Sequence, residues 1–120
     1  MIKRITMWLM ALFNRANQQK QNTAKFISEA SIRKFITTYY GRSWEVIKSP
    51  SRKREVLEAR QLYCFLCSRH ASLSSRYISI LLDGQHDSTV RHSIIKVNRL
   101  LSVGDQRFTD AYNKFKSLTA

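Results

Sequence analysis

Five small or planar polar side chains, Gln85, His86, Asp87, Ser88 and Thr89, stand together directly after Gly84. Behind them Val90, Ile94, Val97 and Leu101 recur at helical spacing. The polar group therefore falls on the first turn of a helix whose rear face is apolar. Backbone N–H groups at a helix start are unpaired and attract phosphate. Gln pairs with adenine edges, Asp accepts from cytosine N4, and a Thr methyl packs on a thymine methyl. The chemistry this tip can do is the reading of base edges in a major groove. The plainer alternative is that Asp87 or Ser88 simply caps the helix.

A second constellation is cationic. Lys48-Ser49-Pro50-Ser51-Arg52-Lys53-Arg54 forms a basic loop, with Arg60 one to two helical turns later. Such a loop can follow a phosphate backbone or put an arginine into a minor groove. It can also be a solvated charged turn. Alone, the loop reads more simply as that turn, and the first use gains its weight from the charge of the whole chain. There are 21 Lys and Arg against 8 Asp and Glu, a formal net charge of +13. That excess says nothing about fold but predicts a polyanionic partner, nucleic acid first and an anionic membrane surface second.

Other patterns carry less. Cys64-Phe65-Leu66-Cys67 with His70 has a ligand-like spacing. Zinc needs a fourth ligand and usually a turn between the cysteines, whereas this segment reads as helix. Both cysteines are better read as small core residues in a reducing compartment. His86 and His92 stand six apart, which does not match the i, i+4 pair of a helical zinc site, and His92 is expected to pack or to face phosphate. No Gly-rich phosphate loop and no nucleophile–base arrangement can be assembled. The expectation is a binding protein that is not an enzyme, with no cofactor, metal or small-molecule substrate.

The elements that must position these residues are helices. The 120 residues contain 3 Gly and 1 Pro, and none of useful length alternates with period two. A first helix can begin at Ser28-Glu29, bury Ile32, Phe35, Ile36 and Tyr39, and stop at Gly41. Ser43 can cap a short turn over 44–47. After Ser49-Pro50-Ser51 a long helix carries Val56, Ala59, Tyr63, Leu66 and Cys67 on its core face. A shorter helix should run to about Leu82, burying Ile78, Leu81 and Leu82. The turn Asp83-Gly84-Gln85 leads into the polar-tipped helix, which Gly104 ends. Asp105 can cap a last helix through Phe108, Tyr112 and Phe115. The fold class is all-α, with a helix-turn-helix over about 74–101.

Residues 1–27 contain no acid and read as a basic extension, and 28–120 as the folded domain. Trp8, Leu9, Leu12 and Phe13 could share one face of a short amphipathic helix, followed by a polar linker over 14–23. That helix is expected to pack on the domain or on a second copy. Membrane contact through residues 1–20, with the domain as an adaptor, is the lesser reading. A secretory signal is disfavoured by its short apolar core and poor cleavage site. No run reaches the roughly 18–20 apolar residues of a membrane span.

The order of the motifs carries a resemblance. Tyr39-Tyr40-Gly41, Ser43-Trp44-Glu45-Val46-Ile47, Ser51-Arg52-Lys53-Arg54-Glu55, Glu58-Ala59-Arg60-Gln61 and Gly84-Gln85-His86-Asp87-Ser88-Thr89-Val90-Arg91-His92-Ser93 follow one another. This series resembles the C-terminal, Trp-repressor-like helix-turn-helix domain of the bacterial replication initiator DnaA, over about residues 28–101. The resemblance implies duplex DNA as partner. His86, Asp87, Ser88 and Thr89 would read bases, Arg52 would enter the minor groove, and Arg54, Arg60 and Gln61 would hold phosphates. Lys53 and Arg91 complete the expected phosphate contacts, and Gln85 joins the base readers. Where the family usually has Arg-Asp-His, this chain has Gln85-His86-Asp87, so its target need not be the family's. A chain of this length without a phosphate loop would lack the family's ATPase module. The expectation is a stand-alone regulator of replication initiation or transcription in the bacterial cytoplasm, native or phage-borne. Its oligomeric state is not legible.

Overall fold

The computed structural model describes residues 26–119. The amphipathic segment, the polar linker and the membrane-contact reading attached to them lie outside the described residues. Within those residues the chain forms six helices. They are α1 (Glu29–Tyr40), α2 (Trp44–Lys48), α3 (Arg54–His70), α4 (Ser75–Leu81), α5 (Asp87–Ser102) and α6 (Gln106–Thr119). No described residue is in a strand. No helix among them is long and apolar enough to cross a membrane.

Local chemistry sets most of the boundaries. Ser28, Ser43 and Ser74 each accept a hydrogen bond from the backbone N–H three residues on, at Ser31, Val46 and Tyr77. Asp105 does the same for Phe108 at 3.2 Å. Each such cap is worth about 1 kcal/mol. α1 ends where Gly41, at φ 63°, donates to the Thr37 carbonyl. A left-handed residue there is cheap only for glycine.

α3 is the strut around which the rest is built. α1, α2, α4 and α5 all pack against it, and α6 closes on α5 and on the far end of the core. The apolar periodicity of the sequence marks only one face of α3. In the structure Leu62, Cys64 and Phe65 are buried as well as Val56, Ala59, Tyr63, Leu66 and Cys67. The reason is that neighbours surround it on several sides, which a one-faced stripe cannot reveal. Two residues expected in the core are not fully there. Tyr39 is 42% exposed and Leu81 is half-buried.

α6 belongs to the same core. Phe115 is fully buried and meets Phe35 and His70 edge-on, with ring centroids 5.2 and 5.1 Å apart. The Tyr112 hydroxyl lies 3.0 Å from His70 Nε2, and the His70 carbonyl accepts from Ile27 N–H at 2.8 Å. The start of the domain, the end of α3 and the last helix are thus joined at His70. Cys64 and Cys67 are free thiols inside the core. Burial pushes the Cys64 thiol up from its ordinary 9.0 to about 12, and raises Cys67 as well.

Two outcomes follow. Truncating Phe115→Ala should lower the unfolding free energy by about 3–5 kcal/mol in urea titrations, because a large buried ring is lost and a cavity remains. A loss near zero would mean that α6 is not part of the cooperative unit. Stability should also decline as pH rises from about 9 toward 12, since the unfolded chain gives up thiol protons that the folded one retains. Thermal melts of Cys64→Ala across that range should show a shallower decline.

Candidate nucleic-acid interface

The tip of α5 is built by a tight turn. Leu82 N–H donates to Ile78, Asp83 to Ile80 and Gly84 to Ser79, at 3.0, 3.1 and 2.9 Å. Asp83 and Gly84 both adopt positive φ, 58° and 80°. The chain thereby reverses within five residues and starts α5 at Asp87, with His86 in the N-cap position. His86 makes no side-chain cap hydrogen bond. Neither Asp87 nor Ser88 supplies one, so capping does not account for this polar run. Asp87 Oδ2 instead faces Arg91 Nη1 at 3.8 Å. His86, Ser88 and Thr89 are exposed, and Gln85 and Asp87 are half-buried.

α5 lies across α3 and leaves a groove on each side. One, of about 200 Å³, is lined by Leu57, Arg60 and Gln61 from α3 and by Gln85, Thr89, His92, Ser93 and Lys96. It brings two residues marked as base readers, Gln85 and Thr89, beside two marked as phosphate contacts, Arg60 and Gln61. His86, Asp87, Ser88 and Arg91 do not line it. Lys96 and Ser93 escaped the sequence reading. Their signal was present, since Lys96 falls seven residues after Thr89 on the same helical face. The opposite groove is lined by Phe65, Ser68, Arg69, Ile94, Ile95 and Asn98.

The basic loop is ordered from within. Ser49 Oγ donates to the Val46 carbonyl, and the Ser51 and Lys53 amides donate to Ser49 Oγ and Ser51 Oγ. The main tie is Arg60. Its guanidinium donates to the carbonyls of Ile47, Ser49 and Ser51, the first at 3.4 Å and the last at 2.9 Å. Arg60 is only 8% exposed, and burial lowers its pKa. The resemblance implies a phosphate contact at this position. In the structure its donors face inward, to one carbonyl of α2 and two of the loop. Gln61 is also 8% exposed, with its side chain in the groove wall.

Arg52, Lys53 and Arg54 are exposed on the outer side of this loop. Arg54 pairs with Glu58 at 3.2 Å, and Glu58 also meets Arg107 at 3.5 Å. Arg52 and Lys53 form no ion pair within the described residues. Lys48 ties the loop to the helix-turn-helix. Its ammonium lies 3.2 Å from Asp83 and 3.4 Å from Glu45, and these carboxylates, Asp83 first, raise its pKa. Residues 35 apart in sequence thus hold the loop beside the turn that launches α5.

Cys64, Cys67 and His70 are core groups, and His70 is engaged with Tyr112. Among the described residues no group of three His, Cys, Asp or Glu is placed to hold a metal ion.

Residues 30–97 match the family model described as the bacterial dnaA protein helix-turn-helix. The chain is similar to the chromosomal replication initiator protein DnaA of Flavobacterium psychrophilum, with 32% identity over 100 residues, 82% of this chain and 21% of that protein. It is also similar to the DnaA of Kosmotoga olearia, 32% over 101 residues, 84% of this chain and 22% of that one. With the DnaA of a Picosynechococcus species it shares 39% over 62 residues, 52% of this chain and 14% of the relative. The chain spans about a fifth of the length of the first two relatives. With its match running from α1 to most of α5, through both the basic loop and the helix-turn-helix, the chain belongs to the family of bacterial DnaA helix-turn-helix domains.

Proposed function

We propose that this domain binds double-stranded DNA, with the first turn of α5 in the major groove and the 48–54 loop over the adjacent minor groove and phosphates. The observation that carries the reading is the Lys48–Asp83 tie, which sets an internally ordered cationic loop beside the exposed polar tip of a helix-turn-helix. Two elements held in fixed relation can span two grooves of one duplex. Family membership supports the same partner.

Within this reading Gln85, His86, Asp87, Ser88 and Thr89 meet base edges. Arg52 enters the minor groove, where a narrow, negative channel attracts guanidinium. Lys53 and Arg54 hold phosphates, Arg54 by giving up a surface pair with Glu58 that is worth little. Gln61 presents its amide to a phosphate at the wall of the groove. Arg60 acts through the loop it organises, adding its charge to the field there. Arg91 belongs to the contact surface. The role is that of a sequence-selective regulator of replication initiation or of transcription. The exchange to Gln85-His86-Asp87 implies a target different from that of relatives carrying Arg-Asp-His, since each altered base contact is worth about 1–3 kcal/mol.

Selection from random duplexes should enrich a defined site, and affinity for that site should fall steeply with salt as counterions are released. Arg52→Ala should then weaken binding by about 1–3 kcal/mol, and Thr89→Ala should mainly broaden the selected sequence. No enrichment, or a flat salt response, excludes the proposed docking. Arg60→Met should weaken binding to all sequences and open the loop to hydrogen exchange, at a stability cost of about 1–3 kcal/mol for the carbonyls left unpaired. Parent-like affinity for Arg60→Met would show that loop order is dispensable.

A further inference from the structure

Asp87 is an odd residue to press toward a polyanion, and its partner suggests what it is for. It stands at the first helical position of α5 without capping anything. Its carboxylate faces Arg91 one turn later, at 3.8 Å, with the two side chains 46% and 60% exposed. The acid precedes the base by four residues, the favourable order along a helix. As a surface pair this adds little to stability. Its consequence is orientation. At 3.8 Å the two charges attract without a hydrogen bond, which biases the arginine fork toward the start of the helix.

The pair stands apart from the groove that Arg60 and Gln61 line. At 100° per residue, Arg91 lies on the flank of α5 away from Thr89 and Lys96, whose side forms the groove with Arg60 and Gln61. Arg91 is instead the i+3 neighbour of Ser88, an exposed residue of the tip. A carboxylate held beside a phosphate would be repelled. One held beside the edge of a base, with an arginine between, would not. Arginine bidentate to guanine O6 and N7 is the commonest specific major-groove contact, and it needs the planar fork that lysine lacks.

We infer that Arg91 reads a guanine in the major groove and that Asp87 is its positioning residue, not a separate reader of cytosine. The inference rests on the DNA-binding reading above. It gives Arg91 a base-specific role in place of the phosphate contact first expected, and Asp87 a positioning role in place of a direct base contact. It also assigns one guanine-containing base pair to two side chains acting together.

The test is selection of full-length protein on random duplexes, followed by affinity and salt titration on the selected site and its single-base variants. The variants are Arg91→Ala, Arg91→Lys and Asp87→Asn, each checked for helicity. The parent should require a G·C pair at one position. Arg91→Ala should lose about tenfold or more of discrimination there and nowhere else. Arg91→Lys should lose it too while keeping the salt slope. Asp87→Asn should lose discrimination at the same base pair without weaker binding to unrelated duplex, because a negative charge has been removed. The inference is overturned if Arg91→Ala weakens all sequences equally and lowers the salt slope by about one, which is the mark of a phosphate contact. It is also overturned if Asp87→Asn alters a different base pair. A parent that enriches no site would overturn it together with the DNA-binding reading, whereas an enriched site indifferent to Arg91 removes this inference alone.

Discussion

One buried guanidinium organises the functional end of this domain. Arg60 sends its donors to the carbonyls of Ile47, Ser49 and Ser51, and no carboxylate lies within ion-pair distance of it among the described residues. Neutral acceptors satisfy the donors but do not cancel the charge. The loop is therefore ordered and electropositive at once. A carboxylate in the same place would have fixed the loop and removed its field. Lysine could not do the same work, since a single ammonium cannot span three carbonyls as a planar fork does.

That clamp depends on α3. An arginine can be turned inward only on a helix that is itself covered, and α3 is packed by α1, α2, α4 and α5. The same coverage places Gln61 in a groove wall and the two thiols in the core. Lys48 adds the second constraint by joining the loop to the turn before α5. Two elements that would touch separate parts of a duplex are thus related through one helix and one ion pair. Much of the acidity of the domain is spent in such pairs. Glu29, Glu45, Glu55, Glu58, Asp83 and Asp87 all face a basic side chain, which leaves Arg52 and Lys53 on the loop unneutralised.

Much of this was legible beforehand. Ser28 and Ser43, together with Gly41 and Gly104, marked helix ends, and the apolar stripes located the cores of α1, α5 and α6. The motif order from Tyr39-Tyr40-Gly41 to Ser93 identified the family and its helix-turn-helix. Less legible was the burial of residues off the expected faces. Leu62 and Phe65 lie off the stripe read for α3, and Tyr39 lies on the stripe read for α1 yet is exposed.

The sequence alone determined the charge excess, the family, the helices and most of their ends, the last two because they are written in interactions a few residues apart. A serine caps the amide three positions on, a glycine takes the left-handed turn beside it, and a stripe repeats every three or four residues. Only the tertiary structure decided where Arg60 points, that Lys48 meets Asp83, that Lys96 shares a groove with Gln61, and that α3 is enclosed. Those outcomes depend on which distant segment arrives to supply a carbonyl, a carboxylate or an apolar surface. A side chain's type states what it can bond, and its neighbours in space decide which bond it makes.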